Sequence, residues 1–166
     1  ARVAVWLGGA GRREVRAVGR PAVTSPPMAV VIAVDAGTTG VRAFALGTDG
    51  VPKGYRYREF PQHFPAPGWV EHDPLEIWDA VRATLQELAA ALDEPIAAVG
   101  ITDQRETLVA WHRRSGAPLH RAIVWQDRRT AARCDELREA GHEPLVRART
   151  GLVLDPYFTA TKAEWL

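Results

Sequence analysis

Val30-Val31-Ile32-Ala33-Val34 is a short unbroken apolar run rich in β-branched residues, which predicts a strand buried on both faces. It runs into the turn-rich string Asp35-Ala36-Gly37-Thr38-Thr39-Gly40, after which Val41–Leu46 resumes an extended pattern. Thr48-Asp49-Gly50 is a turn signal, and Tyr55–Phe60 reads as a third strand, so the three form an antiparallel meander. Residues 61–69, with Pro61, Pro65, Pro67 and Gly68, read as a loop. Asp73-Pro74-Leu75-Glu76 is a helix start: Asp73 caps, Pro74 sits where no N–H is needed, and Glu76 completes a capping box. Trp78, Val81, Leu85, Leu88 and Leu92 follow at alternating spacings of three and four and predict one apolar stripe, with Trp78 in the core; Pro95 ends the helix.

Further strands are expected over 97–102, 107–111 and 122–125. Asp127 is expected to cap a helix running to Glu139, before Gly141; a second helix is expected over 143–149, and another from Lys162 onward. Strands first, then strands and helices in alternation, predict an α/β domain with a mixed sheet.

Composition adds limits. Forty-six per cent of the 166 residues are hydrophobic and 25% are charged, which describes an ordinary globular chain. The net charge of +1 gives no electrostatic case for nucleic acid. No apolar run approaches the roughly 20 residues needed to span a bilayer. The single cysteine, Cys134, cannot form a disulfide within the chain and fits a reducing, cytoplasmic setting. Residues 1–27 stand apart: five arginines against one acid, scattered glycines, and a Ser25-Pro26-Pro27 break before the sole methionine, Met28. Val3–Leu7 is too short for the core of a secretory signal. An organellar transit peptide is an alternative, but the preferred reading is a disordered extension, with the domain beginning at Met28.

Three groups of residues carry candidate chemistry. In the 35–40 turn, Asp35 at a strand end can hold a hydrated metal ion. Gly37 and Gly40 let the backbone turn and expose N–H groups, Thr38 and Thr39 add hydroxyls, and Arg42 adds positive charge, together suiting a phosphate. The same string would also make a plain hairpin turn. In Gln104-Arg105-Glu106, adjacent opposite charges can donate to and accept from the hydroxyls of a polyol, or form a solvated surface pair. Trp69, Trp111, Trp125, Tyr157 and Phe158 supply apolar rings suited to the carbons of a small polyol, or to ordinary packing. The five histidines show no metal-ligand spacing, and Cys134 reads as structural.

Taken in order, the strings Asp35-Ala36-Gly37-Thr38-Thr39, Arg58-Glu59-Phe60, Pro67-Gly68-Trp69-Val70-Glu71-His72-Asp73-Pro74, Gly100-Ile101-Thr102-Asp103-Gln104-Arg105-Glu106-Thr107, Ile123-Val124-Trp125-Gln126, Arg128-Arg129-Thr130 and Thr150-Gly151-Leu152-Val153-Leu154-Asp155-Pro156-Tyr157-Phe158 closely resemble the N-terminal portion of the glycerol kinases of the FGGY carbohydrate kinase family. The resemblance covers essentially residues 29–166. It implies an actin-like, ribonuclease-H-like lobe and ATP-dependent phosphorylation of a terminal glycerol hydroxyl.

By the same resemblance, Asp35 helps hold Mg2+, and Gly37, Thr38, Thr39, Gly40 and Arg42 face the nucleotide phosphates. Arg105, Glu106 and Tyr157 bind glycerol hydroxyls, and Trp125 packs on the carbons. The family's catalytic base and adenine site are expected beyond Leu166, so residues 28–166 are expected to be a truncated N-terminal domain without kinase activity alone. A full-length parent is expected to be homo-oligomeric. Three positions depart from the glycerol kinase pattern: Ala36 for Gln, Gly40-Val41 for a Ser-Ser pair, and Asp103 for Asn. A kinase for another polyol or a ketose such as xylulose, and a non-catalytic actin-like binding module, are the alternatives.

Overall fold

The computed structural model describes residues 28–166. The disordered extension expected over 1–27 lies outside the described residues. Strands β1 (Val30–Ala36) and β2 (Gly40–Gly47) form an antiparallel hairpin, and β3 (Pro52–Glu59) pairs antiparallel with β2, giving the expected meander. Two residues, β4 (Glu71–His72), then lead into helix α1 (Pro74–Ala89). The chain returns as β5 (Ile96–Asp103), parallel to β1, so the mixed sheet has the order β3-β2-β1-β5. A second, two-stranded ribbon pairs β4 with β6 (Ala122–Ile123). Three helices follow: α2 (Ala131–Glu139), α3 (Glu143–Thr150) and α4 (Thr159–Trp165). Among the described residues no helix is long and apolar enough to cross a membrane.

Alternation along β1 and β2 puts Ile32, Val34, Val41, Ala43 and Ala45 on one face, where α1 covers them with Ala80, Val81 and Leu88. The small Ala43 and Ala45 leave room for the helix to lie close, mainly over β2 and β3.

Several expectations fail, each because a distant partner outweighs a local rule. β1 is buried on one face only: Val31 is 40% exposed, and Ala33 and Asp35 also face outward, since α1 covers a single side. Trp78 is 59% exposed rather than core. It lies about 80° around the helix from Leu88, beyond the edge of the covered stripe. Asp73 does cap α1, accepting the Leu75 N–H at 2.8 Å, but the capping box does not close: the Glu76 carboxylate instead meets His63 Nε2 at 3.2 Å.

The strand expected over 107–111 is reduced to isolated bridges, Leu108 to Ile123 and Trp111 to Pro118. Helix α2 begins four residues after Asp127, whose buried carboxylate accepts instead from the Val70 and Arg129 backbones and from the Arg129 guanidinium. Helix α4 begins at Thr159, three residues before the expected Lys162.

Candidate functional site

The site gathers at the carboxyl ends of β1 and β5. Asp35 lies on the open face of β1, with Arg42 opposite it on β2 and Thr102 beside it on β5. The 37–40 turn that follows is a closed hairpin: the Gly37 N–H donates to the Gly40 carbonyl at 3.0 Å. This corrects the expectation that Gly37 offers its N–H to an anion. Neither Gly37 nor Gly40 has positive φ. Glycine is required at 40 for space, because a Cβ there would stand 2.6 Å from the Arg58 carbonyl oxygen and 2.8 Å from the Tyr57 hydroxyl. Tyr57 closes this side of the turn, with its hydroxyl 3.4 Å from Thr39 Oγ1 and its ring 5.6 Å from the Arg42 guanidinium carbon.

Behind the turn lies a polar network that the sequence did not announce. The Gln62 amide donates to the Thr38 carbonyl at 2.9 Å, and the Gln104 amide donates to the Gly37 carbonyl at 3.0 Å. His72, fully buried, joins the two glutamines: its Nε2 donates to Gln62 Oε1 at 2.6 Å, and its Nδ1 accepts from Gln104 Nε2 at 3.1 Å. Only the neutral Nε2–H tautomer fits these partners. Burial pushes the His72 pKa down to about 4, helped by nearby His63 and opposed by Glu76. Neither Gln62 nor His72 carries a periodic or spacing signal; each reads as an ordinary polar residue of a loop.

The second half of the site forms around Glu106. Arg105 and Glu106 do not pair with each other, which sets aside the alternative of a solvated surface pair. Arg105 is exposed and has no hydrogen-bond or ion-pair partner among the described residues. The Glu106 carboxylate accepts from the Thr159 N–H at 3.2 Å and the Thr159 hydroxyl at 3.0 Å. Glu106 is the one non-glycine described residue with positive φ, at 64°, a conformation that costs energy and needs surrounding support. Trp125 sits beside it in the fold's wiring: Thr107 accepts the Trp125 backbone N–H at 3.2 Å and donates to Gln104 Oε1 at 2.9 Å.

The Trp125 indole N–H reaches back to the Thr38 hydroxyl at 3.0 Å, and the Tyr157 ring meets the Trp125 ring edge-on at 5.9 Å. The turn, Trp125, Tyr157 and Glu106 are therefore connected. The other aromatic candidates are elsewhere: Trp111 is 59% exposed, and Trp69 packs with Trp165 and the Arg129 guanidinium. Arg129 is itself buried and paired with Glu71 and Asp127, a knot that anchors the segment just after Trp125.

Residues 30–166 match the model of the FGGY family of carbohydrate kinases, N-terminal domain. The chain belongs to this family. It is 55% identical, over 138 residues, to a glycerol kinase of Cereibacter sphaeroides (strain ATCC 17029 / ATH 2.4.9), a match covering 82% of this chain and 28% of that relative. Among solved structures, it is similar to Plasmodium falciparum glycerol kinase with ADP, with a TM-score of 0.78 and 30% identity over 84% of this chain and 28% of that one. It is also similar to a xylulose kinase from Rhodospirillum rubrum, with a TM-score of 0.76 and 29% identity over 82% of this chain and 29% of that one. The chain thus spans little more than a quarter of the length of the relatives it matches. Its mixed sheet and helices form part of the actin-like, ribonuclease-H-like lobe of the FGGY kinases.

Proposed function

We propose that residues 28–166 are the substrate-gripping part of the N-terminal domain of a kinase that transfers the terminal phosphoryl group of ATP to glycerol, giving glycerol 3-phosphate. The bond from Trp125 Nε1 to Thr38 Oγ1 carries the reading, because it fixes a ring suited to polyol carbons against a hydroxyl-rich turn suited to phosphate. Glu106 accepts from a polyol hydroxyl, Arg105 donates to one, and Trp125 and Tyr157 wall the carbons. Thr38, Thr39 and the Gly40 N–H face the phosphates, with Arg42 adding charge.

Asp35 is a single exposed carboxylate at a strand end. That fits Mg2+, which keeps several waters and takes one or two carboxylates with the rest of its shell from phosphates. When bound, the ion would neutralise charge developing on the transferred group. The chain's own residues act by positioning: they orient one hydroxyl toward the phosphate turn and hold it there, the main requirement of phosphoryl transfer.

The 55% identity to a glycerol kinase favours glycerol over a ketose. The test is ADP release by the full-length protein with glycerol, erythritol and xylulose. Glycerol is expected to give the highest kcat/KM, and equal or better turnover of xylulose would overturn the assignment.

A further inference from the structure

We propose that Lys162 and Thr159, both on α4, are positioning residues that clamp Glu106 and Tyr157 into the geometry that receives the polyol. The inference rests on the glycerol reading and extends it to residues that touch no substrate. Lys162 is fully buried, yet among the described residues its ammonium makes no ion pair with a carboxylate. It donates instead to two backbone carbonyls, those of Glu106 and Tyr157, each at 2.7 Å. Burying a cation is costly, so a lysine so placed requires these two acceptors, and any movement of either carbonyl would leave the charge unsatisfied. One ammonium thereby holds together two peptide segments that are distant in sequence.

Glu106 needs such a hold. Its φ of 64° is unfavourable for a residue with a side chain and needs surrounding support. Lys162 secures its carbonyl while Thr159 secures its carboxylate through both N–H and hydroxyl. The backbone and the side chain of Glu106 are thus pinned from one turn of one helix. Tyr157 is pinned at its carbonyl by Lys162 and at its N–H by Asp155 Oδ1, at 2.8 Å. Desolvation draws the Lys162 pKa below its ordinary value, opposed by Glu106, Asp127 and Asp155. The ammonium is held by carbonyl dipoles and by these more distant acids rather than by a direct ion pair.

Two readouts test the clamp in the full-length protein. In isotopically labelled protein, Lys162→Met is expected to shift the carbonyl carbons of Glu106 and Tyr157 while those of β1–β3 stay in place; unmoved Glu106 and Tyr157 carbonyls would overturn the proposal. In steady-state assays, the same variant is expected to raise the glycerol KM about 10-fold, the effect of losing a charge-assisted hydrogen bond, with the ATP KM unchanged. Equal weakening toward both substrates would mark a general loss of structure and overturn it. If Lys162→Met does not fold, Thr159→Val, which removes one hydroxyl and keeps the ammonium, is expected to raise the glycerol KM with the same selectivity; an unchanged KM would refute the clamp. Failure of the wild-type protein to phosphorylate any polyol would remove the glycerol reading, and the carbonyl shifts would still decide whether Lys162 holds Glu106.

Discussion

The Trp125 indole donates its N–H to the hydroxyl of Thr38 at 3.0 Å, joining residues 87 positions apart. Thr38 belongs to the hairpin turn at the end of β1, and Trp125 follows the short ribbon strand β6. Together with the Gln104 amide on the Gly37 carbonyl it ties these two parts of the candidate site directly, so under the proposed function the placement of polyol relative to phosphate depends in part on this bond.

That dependence can be measured as a coupling. Trp125→Phe keeps an aromatic ring and loses the donor, and Thr38→Val keeps the shape and loses the acceptor. Each is expected to lower kcat/KM by about fivefold, corresponding to about 1 kcal/mol for a neutral hydrogen bond. The double variant should lose less than the two effects combined, because the second change removes a partner already idle. Strict additivity in a double-mutant cycle would show that the bond contributes nothing to catalysis.

His72 makes stability depend on pH. The unfolded chain takes up the proton near the ordinary value of 6.5, whereas the folded chain resists it down to about 4. Stability is therefore complete above pH 6.5 and falls as pH drops from 6.5 toward 4, because the unfolded state binds the additional proton. The loss amounts to about 3 kcal/mol at most. Thermal melts between pH 7 and pH 4.5 should show it, and His72→Gln, whatever its absolute stability, should flatten the slope. A His72→Gln profile as steep as wild type would assign the acid sensitivity to other groups.

Which parts were legible in the sequence follows the range of the interactions. The meander and the start of α1 are written locally, in an apolar run, turn dipeptides, a capping aspartate and a stripe of period 3.6. They form where expected, although α1 ends at Ala89, before the expected stop at Pro95. Asp127, Glu76 and residues 107–111 obey local rules equally well, but Val70, His63 and Ile123 draw them elsewhere. The site divides the same way. Thr38, Glu106, Trp125 and Tyr157 stood out through motif chemistry, and the fold connects them. Gln62, His72 and Lys162 work through buried contacts that no spacing encodes. A hint existed for Lys162 alone: Phe158, Lys162 and Trp165 fall at spacings of four and three, placing a lysine on the aromatic face of α4.

Leu88 anchors α1 to the sheet and is 1% exposed. Leu88→Ala should cost about 2–4 kcal/mol, the transfer energy of the lost carbons together with the cavity they leave. Urea unfolding should record this as a lower midpoint with an unchanged slope. Trp78→Ala, although it removes a larger side chain from the same helix, should cost far less, because that ring is 59% exposed. Reversal of this order would mean that the covered face of α1 is centred elsewhere.

Gly40 offers the sharpest test of what the hairpin turn requires. A Cβ at this position would meet the Arg58 carbonyl oxygen at 2.6 Å and the Tyr57 ring at 2.9 Å. The Tyr57 ring can swing away, but the carbonyl belongs to a paired strand and cannot move without breaking the β2–β3 ladder. Gly40→Ala should therefore destabilise the protein by about 1–3 kcal/mol, in the range of other overpacking substitutions. Adding Tyr57→Ala should recover only part of that loss. Full recovery in the double variant, read from melting temperatures, would show that the ring alone demands glycine. The turn could then accept a hydroxyl-bearing residue at position 40 once position 57 is small.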